Sequence, residues 1–148
     1  MEIISKSLAE NAVIAEKVLA KLKQKEEEVL GALVVGLSGD LGSGKTTFSQ
    51  SIAHLLGVKD VVTSPTFIIE KLYTCSDQVF HRFVHIDAYR LEKADELLMI
   101  GFNELCKEKG TLIFIEWPER VEEALPETTL MMKFKFIDQT TRSISFEF

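Results

Sequence analysis

The sequence predicts an α/β fold in which a mixed sheet, containing antiparallel strands, forms the middle of three layers with helices on both faces. Three observations carry this prediction. A glycine-rich loop at residues 39–46 joins an apolar run to a helical pattern. Two later apolar runs end in an acidic residue, and alternating apolar and polar residues close the chain. Since 148 residues suit one hydrophobic core, we expect residues 1–148 to form a single domain.

The composition excludes several classes of protein. The chain has 17 Lys and Arg against 23 Asp and Glu, a formal charge of −6, which argues against its wrapping nucleic acid unaided. No apolar run approaches the length of a membrane span and the first residues lack a signal-peptide core, so we expect a cytoplasmic location and no membrane contact. Cys75 and Cys106 lack metal-ligand spacing, which predicts buried free thiols.

The first predicted elements are a helix and a strand. Ser7 and Glu10 form a capping box at the start of a helix whose apolar face is Leu8, Ala12, Ala15, Leu19 and Leu22. The charge run at residues 21–28 indicates a solvated helix end or a loop. Residues 32–37 form a short apolar run, which is typical of a buried strand.

Residues 39–46 match the phosphate-loop pattern GxxxxGK[ST] between this strand and a second predicted helix. Glycines let successive N–H groups face a phosphate, and the positive end of the helix adds to the attraction. In such a loop the lysine reaches the β- and γ-phosphates and the hydroxyl ligates Mg²⁺. The match predicts a P-loop NTPase-like fold that binds a nucleotide through Gly39, Asp40, Leu41, Gly42, Ser43, Gly44, Lys45, Thr46 and Thr47.

The middle of the chain predicts two strands and an interrupted helix. Residues 67–73 and 80–87 read as strands, and their short polar join implies an antiparallel pair because a parallel crossover needs a longer connection. Residues 94–109 are helical in character, with an expected interruption at Gly101. The last part predicts a buried strand at residues 111–116 and then a hairpin of residues 132–136 and 144–148.

Two predicted strands end in a carboxylate, as a P-loop requires for holding its metal or positioning the attacking water. Asp87 follows one of these strands and Glu116 ends the other. Ligands of open α/β sheets sit beyond the carboxyl ends of the strands, so we expect both acids to face the phosphates. The residues alone leave open which acid contacts the metal and which positions the water.

Three further residues near these motifs are candidates for the site. Thr66, within residues 64–66, stands where switch loops often lie and is a candidate sensor of the γ-phosphate or metal, with a plain turn as the alternative. Trp117 is expected at the catalytic edge, with an aromatic core position as the alternative. His85 is expected to be structural, with orientation of Asp87 as the alternative.

Several absences narrow the nucleotide chemistry. The sequence contains neither the N-K-x-D box nor the D-x-x-G switch that GTPases use. It also has only four arginines and no arginine-studded segment of the kind with which small-molecule kinases clamp a second substrate. These absences argue against a GTPase and against a stand-alone kinase.

Taken together, four motifs resemble the TsaE family, the bacterial P-loop ATPases of tRNA threonylcarbamoyladenosine synthesis. They occupy residues 39–48, 64–67, 85–90 and 115–119, in order over nearly the whole chain. The resemblance implies that ATP binding and slow hydrolysis, with Mg²⁺, serve a TsaB–TsaD complex. In that complex TsaD transfers a threonylcarbamoyl group from its adenylate to the adenosine beside the anticodon. The TsaE-like subunit is expected to reset the complex between turnovers and to meet tRNA only through it.

The resemblance also implies roles for individual residues at the phosphate end of the site. Lys45 is expected to bind phosphate and take part in catalysis, and Thr46 to ligate Mg²⁺. Glu116 is expected to serve both the metal and hydrolysis, with Asp87 assisting at the same place.

Outside the phosphate chemistry, the implied roles concern the base, the switch loop and the partner. Thr66 belongs to the switch-like loop, and Trp117 lies beside the nucleotide or the partner. Leu8 and Arg142 are expected near the adenine. Ser43 departs from the alanine common in the family, a change that a loop of this kind should tolerate.

Two other classes of function remain as alternatives. A stand-alone kinase for a small metabolite would consume ATP in response to that metabolite. A nucleotide-gated interaction module that never hydrolyses ATP would be indifferent to loss of Glu116.

Overall fold

A computed structural model describes residues 1–60 and 70–148. The candidate switch residue Thr66 and the first residues of the predicted strand 67–73 lie outside the described residues. The strands and α-helices in chain order are β1 (Glu2–Ser5), α1 (Leu8–Glu26), β2 (Leu33–Ser38), α2 (Lys45–Leu55), β3 (Glu70–Thr74), β4 (Arg82–Asp87), α3 (Ala94–Met99), α4 (Phe102–Leu105), β5 (Thr111–Glu116), β6 (Leu130–Phe136) and β7 (Arg142–Phe146). Two 3₁₀ turns, Pro118–Arg120 and Glu122–Ala124, connect β5 to β6.

The described strands form one mixed sheet in the order β1-β7-β6-β2-β5-β4-β3. Strand β2 is parallel to β5 and β6, and β4 is parallel to β5, whereas β1, β3 and β7 each pair antiparallel. In this register Glu116 lies opposite Leu37 on one side and Asp87 on the other. The carboxyl ends of the neighbouring parallel strands β2, β5 and β4 therefore meet at one edge of the sheet.

Apolar residues fill both faces of the sheet, as the predicted fold requires. One core cluster packs α1 and α2 against the sheet and includes Phe48, Phe83 and Phe114. The other packs α3 and α4 against the opposite face and includes Phe102 and Ile113. Successive residues of a strand point to opposite faces, so β5, which is covered on both, is apolar without interruption from Leu112 to Ile115. The predicted three-layer arrangement is confirmed.

The capping box at the start of α1 forms, with one change of partner. Ser7 Oγ accepts a hydrogen bond from Glu10 N at 3.1 Å, as predicted. The Glu10 carboxylate accepts from Lys6 N at 2.6 Å, which is one residue before the cap. The helix continues through most of the charge run to Glu26, so that run is a helix end.

The interrupted helix is shorter than predicted. Gly101 separates α3 from α4 with φ of 86°, a left-handed conformation that favours glycine. The helical stretch then ends at Leu105 instead of residue 109, because the Cys106 carbonyl accepts a hydrogen bond from Ala32 N at 2.9 Å. That carbonyl leaves no room for a side chain at Gly31, where a Cβ would lie 2.1 Å from its oxygen.

Strands β1 and β7, which pair at one edge of the sheet, differ from the predictions. Strand β1 was not predicted, since its four residues are too few for a periodic pattern and it forms by pairing with distant β7. Strand β7 spans Arg142–Phe146 and not residues 144–148.

The two cysteines are free thiols, as the sequence predicts, although only one of them is fully buried. Cys75 is buried and Cys106 half-buried, and neither is in a disulfide. Burial raises the pKa of each thiol to about 11, so both stay protonated at neutral pH. Within residues 1–60 and 70–148, no helix is long and apolar enough to cross a membrane.

Candidate nucleotide-binding site

A cavity of about 730 Å³ opens where β2, β4 and β5 end. This volume is within the usual range of small-molecule sites. Of the predicted site residues, the cavity wall includes Leu8, Leu41, Gly42, Ser43, Gly44, Lys45, Thr46, Thr47, Asp87, Glu116, Trp117 and Arg142. Gly39 and Asp40 are not in the wall but contact it through Lys45.

The phosphate loop adopts backbone conformations that only glycine accepts without strain. Gly39, Gly42 and Gly44 have φ of 149°, 76° and 100°. A Cβ at Gly39 would also lie 2.3 Å from the Phe134 carbonyl oxygen of β6. The loop leads directly into α2, which begins at Lys45, so the first N–H groups of that helix belong to the cavity wall.

Lys45 is held inside this loop although it is charged. Its residue is only 5% exposed, and Nζ donates to the carbonyl oxygens of Gly39 and of Asp40, the latter at 3.1 Å. The ammonium also lies 4.5 Å from the centre of the Trp117 ring. Burial lowers the pKa of Lys45, and the charges of nearby acids, led by Glu116, oppose that shift. The loop thus holds the partly desolvated Lys45 ammonium beside the cavity.

Glu116 links three elements at the end of β5. Both of its carboxylate oxygens lie near Thr46 Oγ1, at 3.4 and 3.3 Å. Its Oε2 is also 2.7 Å from His85 Nε2. His85 therefore contacts Glu116, and the alternative that it orients Asp87 by a direct contact is wrong. The cross-strand register of β4 and β5 brings His85 to Glu116. The spacing of His85 and Asp87 along the chain gives no information about this contact.

Asp87 lies beside Glu116 with few partners of its own. Its residue is 8% exposed and its Oδ1 accepts a hydrogen bond from Tyr89 N at 2.9 Å. Burial raises the pKa of Asp87 and the charge of Glu116 adds to the rise, whereas Tyr89 N–H, His85 and Lys45 oppose it. Two neighbouring buried carboxylates favour a bound cation, because it relieves their mutual repulsion.

Trp117 and Tyr89 form an aromatic wall of the cavity. Trp117 has φ of 60°, unusual for a residue other than glycine and of a kind that costs on the order of 1 kcal/mol. The centre of its ring lies 5.1 Å from the centre of the Tyr89 ring. The Arg120 guanidinium lies over the Tyr89 ring, 5.3 Å from its centre. Tyr89 was not predicted as a wall residue. Its position two residues after Asp87 was the available signal.

Arg142 ties the final hairpin to the phosphate loop. Its Nε donates to the Gly42 carbonyl oxygen at 3.1 Å, and its guanidinium lies 4.6 Å from the centre of the Phe136 ring. Leu8 is 76% exposed. Both residues line the cavity, and their expected contacts with adenine stay predictions.

The donor set suits a hard cation and a polyphosphate. Thr46 offers a hydroxyl and Asp87 and Glu116 offer carboxylates, the oxygen ligands that Mg²⁺ prefers. In residues 1–60 and 70–148, no group of three or more His, Cys, Asp or Glu side chains lies close enough to hold a metal by itself. A site of this kind fits Mg²⁺, which usually takes one or two carboxylates and completes its shell with water and substrate phosphates.

The sheet order, the glycine loop and the acids at the strand ends define an α/β protein of the P-loop NTPase-like class. The model of the family described as "Threonylcarbamoyl adenosine biosynthesis protein TsaE" matches residues 5–144. The chain belongs to the TsaE family.

Individual relatives agree with this assignment. The chain is 40% identical to the tRNA threonylcarbamoyladenosine biosynthesis protein TsaE of Bacillus subtilis over 113 residues, 76% of this chain and 68% of the relative. It is 37% identical to the protein of the same name from Borreliella burgdorferi over 102 residues, 68% of this chain and 72% of the relative. The crystal structure of Bacillus subtilis YdiB matches with a TM-score of 0.71 and 27% identity, covering 99% of this chain and 83% of that one.

Proposed function

We propose that this protein is a Mg²⁺-dependent ATPase, weak alone, that serves a TsaB–TsaD complex in the threonylcarbamoyladenosine modification of tRNA next to the anticodon. Its hydrolysis resets the complex between turnovers, in the cytoplasm, and it meets tRNA only through the complex. Membership of the TsaE family supports the role in tRNA threonylcarbamoyladenosine biosynthesis. The activity, the cofactors and the partners are the proposed part.

The observation that carries the proposal is the meeting of four side chains from three elements at one cavity. Lys45 and Thr46 start α2, Asp87 ends β4 and Glu116 ends β5. All four line the same cavity although up to 71 positions separate them in the chain. A buried lysine, a hydroxyl and two carboxylates are the set that phosphoryl transfer from a nucleotide requires.

Each residue has a distinct part in the proposed reaction. Lys45 exchanges its loop carbonyls for the β- and γ-phosphate oxygens, and the N–H groups at the start of α2 bind the same phosphates. Thr46 and the two acids would hold Mg²⁺, which supplies neutralisation of the phosphate charge. Glu116 orients a water molecule whose oxygen bonds to the γ-phosphorus while the bond to the β–γ bridging oxygen breaks, leaving ADP and inorganic phosphate.

The test is ATP hydrolysis by the purified chain, alone and with the TsaB–TsaD complex from the same source. We expect slow release of phosphate that the complex stimulates, and stimulation that disappears in Glu116→Ala. If the complex neither binds the chain nor stimulates it, the proposed partnership is wrong. Phosphate transfer to a small metabolite would then favour the kinase, and turnover unchanged in Glu116→Ala would favour a module that does not hydrolyse ATP.

A further inference from the structure

The contact between His85 and Glu116 is a buried polar pair at the edge of the site. His85 is 0% exposed and Glu116 is 5% exposed, and the 2.7 Å between Nε2 and Oε2 is a short hydrogen bond. The pair crosses from β4 to the parallel strand β5, at positions two residues apart in the register. Thr46 Oγ1 is the other side-chain group within hydrogen-bond range of this carboxylate among the described residues.

The position of the imidazole proton follows from what surrounds the ring. His85 Nδ1 is buried and has no hydrogen-bond partner among the described residues. A proton on Nδ1 would bury an unpaired N–H and turn the Nε2 lone pair toward a carboxylate, and both arrangements are costly. With the proton on Nε2, the ring donates to Glu116 and the uncharged Nδ1 keeps only an unused lone pair.

The ring that makes this hydrogen bond is fixed by packing. Phe83, two residues earlier on the same face of β4, stacks on it with ring centres 6.2 Å apart and an angle of 28°. A donor held in this way restricts rotation of the Glu116 carboxylate. Glu116 itself lines the cavity, so its orientation affects what the cavity can bind. The imidazole engages Oε2 at 2.7 Å, whereas the contact of Oε1 among the described residues is the longer one, 3.4 Å to Thr46 Oγ1, so Oε1 is the oxygen more available to a ligand in the cavity.

We propose that His85 is a positioning residue for Glu116: its Nε2–H holds the carboxylate in the direction that ATP hydrolysis requires. The inference rests on the proposed function, because it assigns Glu116 the orientation of the attacking water. It gives a role in the same reaction to a residue that does not line the cavity. Carboxylates next to a metal or a reacting atom commonly need such an outer hydrogen bond.

Two amide substitutions separate this role from simple packing. His85→Gln can place an N–H donor near the position of Nε2, whereas His85→Asn carries the same amide one methylene shorter and cannot reach Glu116. We expect kcat within about 3-fold of wild type for the glutamine variant and about 10–100-fold lower for the asparagine variant. The dissociation constant for Mg-ATP should change by less than about 3-fold in both, since phosphate binding is left to the loop.

Equal kcat in the two variants, whether both normal or both low, would overturn the proposal, because the reach of the donor would then not matter. Nitrogen-15 NMR of the wild-type imidazoles gives a test that needs no substitution at a buried position. A proton on His85 Nε2 is the expected result. An Nε2 without a proton would overturn the proposal even if neither variant folds.

The same experiments separate this inference from the proposed function. If the wild-type chain with its partners releases no phosphate from ATP, the proposed function is wrong and the hydrolytic role of His85 falls with it, whatever the NMR result. If wild type is active, Glu116→Gln is inactive and His85→Asn keeps full turnover, only the positioning role is wrong.

Discussion

Two aspartates with little-exposed side chains flank the hairpin strand β4, and the surroundings of their carboxylates differ. Asp77 precedes the strand, and its carboxylate is surrounded by donors from its own chain. It accepts from Lys23 Nζ at 2.7 Å, from Val79 N at 2.9 Å and from Phe80 N at 3.0 Å. Burial alone would raise the pKa of Asp77, but these hydrogen bonds outweigh it and the pKa is lowered.

Asp87 ends the same strand with the opposite balance. One backbone N–H, that of Tyr89, donates to it, and Glu116 faces it across the sheet. Burial raises its pKa, and the neighbouring carboxylate raises it further. A shielded charge that is neutralised by its own chain therefore stabilises the fold, whereas a shielded charge left partly unneutralised is available to a ligand.

Substitutions at the cavity, beside Asp87, should change the protein most. Glu116→Ala should lower ATP turnover about 100-fold or more and leave the affinity for Mg-ATP within several-fold, because it removes the group that orients water. Lys45→Ala should lower affinity and turnover together, since it removes a phosphate ligand. Isothermal titration calorimetry and phosphate release measure the two quantities. Equal losses of affinity in both variants would contradict this division of roles.

At the other end, Asp77→Ala should lower the free energy of unfolding by about 2–3 kcal/mol, because two N–H groups and one ammonium lose their acceptor. Chemical denaturation measures the loss, and the exposed Asp60→Ala serves as control. The pKa of Asp77 is lowered in the folded state. Its stabilisation is therefore complete above the ordinary aspartate pKa and is lost as the pH falls through the lowered one. If Asp77→Ala is as stable as Asp60→Ala, the hydrogen bonds of Asp77 contribute nothing to the free energy of unfolding.

Asp87→Asn should change stability in the opposite direction to Asp77→Ala. In the absence of nucleotide and Mg²⁺ it should raise the free energy of unfolding by about 1 kcal/mol. The asparagine keeps an oxygen for Tyr89 N–H and removes the repulsion with Glu116. Because the folded pKa of Asp87 is raised, folding holds its proton more tightly, so the wild type loses stability as the pH rises from the ordinary pKa through the raised one. Thermal unfolding across that range measures the gain, and a destabilised variant at neutral pH would contradict it.

The smallest expected effect belongs to the cation that neutralises Asp77. The side chain of Lys23 is 35% exposed, so solvent screens its ion pair, and Lys23→Met should cost only about 0.5–1 kcal/mol. Added salt should reduce the difference from wild type. If Lys23→Met lowers the free energy of unfolding as much as Asp77→Ala, the ion pair with Lys23, and not the backbone N–H donors, supplies most of the stabilisation by Asp77.

Local patterns predicted much of the fold and the composition of the site. The capping box at Ser7, the strand at residues 111–116 and the loop at residues 39–46 are all where the pattern places them. Each depends on neighbours a few positions apart. Strand β1 and the contact between Lys23 and Asp77, 54 positions apart, depend on distant partners and carry no local signal.

Sequence patterns are sufficient to predict a phosphate loop with glycines at its turns between a buried strand and a helix, and acids at the ends of two further strands. Those features follow from backbone preferences and periodicity, which act over short distances. Distant contacts, which only the folded sheet creates, make His85 a hydrogen-bond partner of Glu116 and leave Asp87 only partly neutralised beside it. Folding also places the Lys45 ammonium against carbonyl oxygens of its own loop. A buried polar group takes whichever partner the strand register brings within reach, and that register is set by the packing of the whole sheet.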